Sequence, residues 1–194
     1  MLLADAYGGY NGVVGGNEIT RAGCWAHARR KFIEAEKAAP EIAREAVELV
    51  RALYAVEWQA AEATTAVRGE MRQNLSAPVL MELREKLLGW KQQLLPKHPM
   101  AEAVNYALGQ WEELNAFCAD GAVPIDNNVS EREMKRVVLN RKNSLFVGNV
   151  RGGRTAAILG SLTSTCRRHD VDPQLYLTQL PVNLPSARTS QLSE

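Results

Sequence analysis

The central stretch of this chain, residues 41–120, constrains the fold most, because its apolar residues recur at helical spacing. A linker is expected at residues 64–77, before a second helix near Pro78. Pro99 predicts the start of a third helix, which Gly121 ends. We expect three antiparallel helices that bury one another's apolar stripes and carry no functional site. The stripes are Ile42, Ala46, Leu49, Leu53 and Val56; Leu80, Leu83, Leu87, Trp90 and Leu94; and Val104, Leu108, Trp111, Leu114 and Phe117.

The charged residues divide the chain in the same way. Residues 21–37 have five basic and two acidic side chains, and residues 121–170 have nine basic and four acidic ones. Residues 38–120 have eight basic and twelve acidic side chains, so two basic segments flank an acidic block. Such flanks favour a surface that binds a polyanion, and the alternative is that they are solvated runs of charge.

Composition excludes several classes of protein. Apolar residues make up 46% of the 194 residues and charged residues 23%, as in globular domains rather than disordered chains. No apolar run approaches the ~20 residues of a membrane span, and the first residues lack the pattern of a signal peptide. Three cysteines do not suggest a disulfide framework. We therefore expect a reduced, cytoplasmic protein that does not contact a membrane.

A short strand and a glycine-rich turn come first. The apolar residues 2–4 end at Asp5, and the glycines within residues 8–16 predict turns rather than a helix. Residues 18–24 predict a second strand, and Trp25 predicts the start of a helix. A carboxylate at a strand end, beside backbone that a ligand can approach, suits a divalent cation. Asp5 is therefore a candidate metal ligand, and the alternative is an aspartate that caps a turn.

Residues 122–170 are polar and basic. Asp126 or Asn127 predicts the cap of a helix that runs to about residue 138. This helix carries Glu131, whose carboxylate either has a functional role or forms an ion pair on the surface. An extended segment is predicted at 144–147 and a helix at 154–168, and Asp172 and Pro173 predict the start of a short last helix. Asparagine and arginine side chains suit contacts to a nucleic-acid backbone, although the asparagines could also cap the helix. The candidates for such contacts are Asn127, Asn128, Arg132, Arg141, Lys142, Arg151 and Arg154.

Cys24 and His27 form a C-x-x-H pair. A zinc site needs four ligands, usually from two such pairs, and the chain has no second pair. We therefore expect no zinc, and a buried Cys24 with a hydrogen-bonded His27 nearby.

Several motifs occur in an order that resembles the transposases of the insertion sequence 66 family. They are DAYGGYNG at residues 5–12, CWAHARRKF at 24–32, IDNNVSER at 125–132 and RKNSLF at 141–146. VDPQLYL at residues 171–177 resembles the C-terminal helix of that family. The resemblance runs from about residue 2 to residue 180. It departs from the family at Val137, where proline is frequent, and at Ser144, where tryptophan is frequent.

The resemblance implies a ribonuclease-H-like core in which two aspartates and a glutamate hold two Mg²⁺ (or Mn²⁺) ions for phosphodiester cleavage and strand transfer. By position, Asp5 matches the second aspartate and Glu131 the glutamate, and Cys24 and His27 match a signature with a structural role. The implied partner is DNA, both the element's ends and its target. The residues expected near DNA phosphates are Asn127, Asn128, Arg132, Arg141 and Lys142.

We therefore expect a mainly α-helical chain with a few short strands. A partial ribonuclease-H-like core would comprise residues 1–38 and 121–180, interrupted by a helical insertion at 39–120. The tail, 181–194, is expected to be disordered. The helix of Glu131 is expected to bring its carboxylate within metal-bridging reach of Asp5.

The first aspartate of the implied triad would lie upstream of Asp5, and the chain begins four residues before Asp5. We therefore expect the C-terminal part of a transposase, from a truncated or split reading frame, which is inactive alone. It would associate with DNA, with itself or with a full-length transposase. The alternatives are a non-catalytic module that binds DNA or a transposase, and a purely helical interaction protein that uses residues 41–120.

Overall fold

The computed structural model describes residues 1–5, 9, 11–17, 19–144 and 147–183. The chain divides into two compact units, Met1–Val129 and Ser130–Glu194, which are described separately. Over the described residues the chain is mainly helical with two short strands, which confirms the coarse expectation for the fold class.

The two strands of the first unit form a parallel pair. β1 (Leu2–Leu3) lies beside β2 (Arg21–Ala22), with Leu2 opposite Arg21 and Leu3 opposite Ala22. A parallel pair needs a crossover connection, and part of that connection is a short helix, α1 (Asn11–Gly15). The prediction of turns without a helix was wrong here, because glycine only weakens a helix and does not forbid one turn of it.

The helices of the first unit bury the predicted stripes. Leu53, Leu83 and Leu87 are fully buried, and they belong to one core with side chains from the helix that precedes the block. Burial of such apolar stripes is the main stabilising term for helices of this length. The helices are α2 (Trp25–Glu34), α3 (Pro40–Gln59), α4 (Thr65–Met71), α5 (Ala77–Gln93), α6 (Pro99–Gly109) and α7 (Trp111–Ala119).

The predicted linker at residues 64–77 is helical instead. The Thr64 hydroxyl accepts a hydrogen bond from the backbone N–H of Val67 and begins α4. A single π-helical turn, Arg72–Ser76, then joins α4 to α5. The sequence lacks an apolar stripe here because the turn buries an arginine, which apolar periodicity does not reveal.

That arginine, Arg72, is fully buried and all its polar groups are paired. Its guanidinium holds both carboxylate oxygens of Glu57, at 2.7 and 2.6 Å. It also donates to the carbonyl oxygens of Phe117 and Asp120, at 2.7 and 2.9 Å. A buried charge needs such complete pairing, because an unpaired one costs several kcal/mol. Arg72 thereby connects α3, the π-helical turn and the end of α7.

The predicted third helix is two helices. α6 ends at Gly109 and α7 begins at Trp111, with Gln110 between them at φ −114° and ψ 21°. The Arg21 guanidinium donates to Gln110 Oε1 at 3.1 Å. The break places Gln110 beside β2, a contact between distant residues that helical periodicity does not predict.

Trp25 connects the start of α2 to the end of the helical block. Its backbone N–H donates to the Ile125 carbonyl at 3.1 Å, and its indole Nε1–H donates to the Leu114 carbonyl at 2.7 Å. The N–H of Gly23 donates to the Glu113 carbonyl at 2.7 Å. A Cβ at residue 23 would lie 3.1 Å from the Leu114 nitrogen, so glycine permits this close approach.

The second unit contains three helices among its described residues. They are α8 (Asn128–Ser144), whose first two residues belong to the first unit, α9 (Val150–Arg168) and α10 (Pro173–Asn183). The Ser164 hydroxyl of α9 donates to the Glu133 carboxylate of α8. Asp172 caps α10 by accepting from the N–H of Gln174 at 2.7 Å, so the predicted start of the last helix is confirmed.

The remaining predictions for this unit are less complete. α8 runs through Ser144, six residues beyond the predicted end, and residues 145 and 146 of the predicted extended segment lie outside the described residues. α9 begins at Val150, four residues before its predicted start, and includes both glycines. Residues 181–183 of the predicted tail end α10, and 184–194 lie outside the described residues. No described helix is long and apolar enough to cross a membrane.

We predict that Trp25→Phe destabilises the first unit by about 2–4 kcal/mol, because it leaves the Leu114 carbonyl without its indole donor and removes buried volume. Urea unfolding followed by tryptophan fluorescence measures this, since all four tryptophans lie in the first unit. Trp58→Phe is the matched control, because Trp58 is 88% exposed, and it should change stability by less than about 0.5 kcal/mol. Equal effects of the two substitutions would contradict the role given to Trp25.

Candidate functional site

Asp5 lies just beyond the carboxyl end of β1. The N–H of Ala4 still pairs with the Ala22 carbonyl at 3.1 Å, so the chain leaves the sheet at Asp5 itself. The Asp5 backbone carbonyl accepts from the Arg21 guanidinium at 2.6 Å, which fixes the backbone at this point. The Asp5 residue is half-buried. In sheets with parallel strands, ligands bind beyond the carboxyl ends of the strands, so this position suits a ligand-binding carboxylate.

The N-terminus of α2 begins at the same end of the strand pair. Cys24 precedes α2 and is buried, and burial raises the pKa of its thiol against the lowering effect of hydrogen bonds from the backbone of Asn127, His27 and Ala26. The thiol therefore stays protonated at neutral pH and links the start of α2 to Asn127. This environment fits the predicted structural role of Cys24, and the role of the His27 side chain remains a prediction.

No group of three or more His, Cys, Asp or Glu side chains in the described part of the chain is placed to hold a metal ion. Asp5 supplies one carboxylate, and magnesium in proteins is commonly held by one or two carboxylates together with waters and substrate phosphates. The described residues around Asp5 therefore supply one candidate ligand of a metal site rather than a complete set of ligands.

Asp126 organises the segment that follows the helical block. Its Oδ1 accepts from the backbone N–H of Asn128 at 3.1 Å, which confirms its predicted place at the start of α8. Its Oδ2 accepts from the Tyr54 hydroxyl at 2.8 Å and from the Asn128 side-chain amide at 2.7 Å. Burial and the hydrogen bond to Asp126 raise the pKa of Tyr54, so its hydroxyl stays protonated and keeps donating.

Beside this network lies a pocket of about 460 Å³, which we call the arginine pocket. It is lined by α2, α3 and the first residue of α8, all within the first unit. Residues 26, 29, 30 and 33 follow one face of α2, opposite the buried face that contains Trp25 and Phe32. The lining residues are Ala26, Arg29, Arg30, Ile33, Arg51, Tyr54 and Asn128.

The sequence predictions found only part of this pocket. Asn128 was a candidate phosphate contact, whereas Arg51 and Tyr54 lie in the helical block, where no site was expected. Arg29 and Arg30 belong to the first basic segment, and its charge was the available signal. Nothing in the sequence places Arg51 beside them, because the contact between α2 and α3 is set by tertiary packing.

The other predicted site residues are placed as follows. Asn127 is 9% exposed, and its Oδ1 has no hydrogen-bond partner among the described residues. Glu131 is half-buried and lies in the second unit, whereas Asp5 lies in the first. The Arg141 side chain lies outside the described part of the structure. The roles of all these residues at metal or DNA remain predictions. Exposed positions are occupied by Arg132, Lys142, Arg151 and Arg154.

A family model described as "Transposase IS66 family" matches residues 1–155. Curated relatives from Sinorhizobium fredii (strain NBRC 101917 / NGR234) include the uncharacterized protein y4jD, which is 37% identical over 198 residues, 98% of this chain and 39% of the relative. The uncharacterized protein y4qI is 37% identical, over 92% of this chain and 35% of its own length. The uncharacterized protein y4hP is 31% identical, over 100% of this chain and 38% of its own. The chain thus spans less than two fifths of these relatives, and no solved structure matches it.

We predict that Tyr54→Phe destabilises the first unit by about 1–3 kcal/mol at pH 7, because Asp126 loses a buried hydrogen-bond donor. Since the pKa of Tyr54 is raised in the folded protein, this stabilisation is complete below about pH 10 and is lost as the pH rises above it. Urea unfolding of the parent and the variant between pH 7 and pH 11 measures both effects.

The matched control is Tyr106→Phe, because Tyr106 lies in the same unit and its hydroxyl has no hydrogen bond within the described part of the chain. It should change stability by less than about 0.5 kcal/mol at pH 7. A loss at Tyr106 as large as that at Tyr54 would show that the hydrogen bond to Asp126 is not the cause.

Proposed function

Because the chain belongs to the IS66 family of transposases, we propose that it forms part of the catalytic and DNA-binding region of a DNA transposase, which cuts and rejoins phosphodiester bonds. The family match covers residues 1–155, so it includes Asp5, the helical block and Glu131. In this proposal residues 1–38 and 121–180 belong to a ribonuclease-H-like core, and 39–120 are inserted into it.

The observation that carries the proposal is the position of Asp5. It follows a strand of a parallel pair, its backbone is fixed by Arg21, and it lies within the segment that the family model matches. A carboxylate so placed can hold a divalent cation without a large rearrangement of the backbone. We propose Asp5 and Glu131 as ligands of the catalytic metal ions, with Mg²⁺ or Mn²⁺ as the metal.

Bound metal ions would activate a water or a 3′-hydroxyl and stabilise the leaving oxygen of the phosphodiester. The chain's own contribution is to hold the Asp5 carboxylate at the strand end and to bind DNA backbone. Exposed Arg132 and Lys142, together with Arg141, are proposed to contact phosphates, and Asn127 and Asn128 to shape the start of α8 beside them.

A second candidate function is a non-catalytic module that binds DNA or a transposase. The arginine pocket favours it, because that pocket contains basic and amide groups and no carboxylate among its lining residues. The two candidates differ in whether Asp5 and Glu131 bind a metal, so a metal titration separates them.

We predict that Mn²⁺ binds the full chain and that Asp5→Ala and Glu131→Ala each weaken this binding at least about tenfold, because each removes a charged ligand. Isothermal titration of the purified chain with Mn²⁺ measures it. Glu62→Ala is the control, since Glu62 is an exposed acidic residue of the helical block, and its affinity should equal that of the parent. Absence of Mn²⁺ binding, or equal binding by all variants, would reject the metal-binding proposal and favour the second candidate.

A further inference from the structure

The arginine pocket has an excess of positive charge that the folded chain does not neutralise. Within the described residues, Arg29, Arg30 and Arg51 have no hydrogen bond and no ion pair, and all three are exposed. Some other cations of the same unit are paired, as in the buried contact of Arg72 with Glu57. Three cations around one concavity repel one another, and a bound anion would offset this repulsion.

Asp126 is the acidic residue that hydrogen-bonds to lining residues of the pocket. Both of its carboxylate oxygens accept hydrogen bonds from Tyr54 and Asn128, at 2.7 to 3.1 Å. Asp126 thus fixes two lining residues and does not pair with the arginines. The pocket keeps a net positive charge and a rigid wall.

The size and lining of the pocket indicate what it can bind. A volume of about 460 Å³ lies within the range of sites for small ligands and exceeds what one inorganic anion needs. Ala26 and Ile33 add apolar surface beside the guanidinium groups, and Ile33 is 41% exposed. Guanidinium groups bind phosphate oxygens in a fork geometry, and an apolar floor suits the sugar that joins two phosphates.

We propose that the arginine pocket binds a phosphodiester unit of a DNA backbone, and this inference rests on the proposed function for its choice of DNA. Arg29, Arg30 and Arg51 contact the phosphate oxygens, the Asn128 side chain borders the same group, and Ala26 with Ile33 contacts the sugar. The site is composite, because the helical block contributes Arg51 and Tyr54 while α2 and the segment after the block contribute the rest. The block is therefore part of a DNA-binding surface as well as a packing unit.

The test is fluorescence anisotropy of the full chain with a labelled DNA duplex of about 25 base pairs, without divalent cations. Arg51→Gln and Arg30→Gln should each weaken binding about fivefold to tenfold and lower the slope of log affinity against log salt by about one. Arg84→Gln is the matched control, because Arg84 is an exposed arginine of α5 that does not line the pocket. It should bind within about twofold of the parent, and thermal unfolding should show that all variants remain folded.

Inorganic phosphate is the alternative ligand for the arginine pocket, because it offers the same phosphate oxygens as a DNA backbone. If the pocket binds DNA, phosphate should displace the duplex no better than chloride of equal ionic strength. Phosphate binding in isothermal titration that is lost in Arg51→Gln, together with equal duplex affinities of Arg51→Gln and the parent, would assign the pocket to free phosphate and overturn the DNA proposal. Equal affinities of the pocket variants and the parent, a parent that binds no duplex, or an equal loss in Arg84→Gln would overturn it as well.

The omission of metal keeps this test apart from the metal proposal. Glu62→Ala should leave duplex binding unchanged in this assay, because Glu62 is exposed and does not line the pocket. If Mn²⁺ fails to bind but the pocket variants lose DNA affinity, the pocket inference stands and only the catalytic proposal fails. If Mn²⁺ binds but the pocket variants keep the duplex affinity of the parent, the pocket inference fails and the catalytic proposal stands.

Discussion

The first unit depends on the contacts through which Trp25 closes the chain on itself. About a hundred residues separate Trp25 from Ile125, yet the backbone of one donates to the other, and the indole donates to the carbonyl of Leu114. The Trp25 and Trp111 rings also pack in a T-shaped arrangement, with ring centroids 6.2 Å apart. Closing a long loop costs conformational entropy, which these buried hydrogen bonds and aromatic surfaces offset.

The same closure produces the candidate functional surface. It returns Asp126 and Asn128 to the start of α2, where Asp126 meets Tyr54 from the helical block. Arg51, one helical turn before Tyr54, is thereby placed beside the arginines of α2. A transposase-family chain thus gains a basic concavity from three segments that are far apart in sequence. Asp5 lies at the strand end of the same unit, where the chain leaves the sheet.

Much of the helical architecture could be predicted because helical periodicity is a local signal. Leu53, Leu83 and Val104 are buried as their stripes predicted, and Pro99 and Asp172 mark helix starts as expected. The break at Gln110 and the π-helical turn could not be predicted. They depend on contacts of Arg21 and Arg72 with residues more than ten positions away. Asp5 was a candidate metal ligand from its place at a strand end, whereas its pairing with Glu131 came only from a resemblance to a family and remains a proposal.

Hydrogen–deuterium exchange of the full chain, with and without a DNA duplex, tests most directly the claim that the closed first unit presents a DNA-binding surface. The account predicts that DNA slows exchange in peptides that cover residues 26–33 and 51–54, because bound DNA shields and steadies α2 and α3 around the pocket. Exchange in α5 should not change. Slower exchange confined to residues 130–168, with the first unit unaffected, would contradict the account and would assign DNA binding to the second basic segment alone.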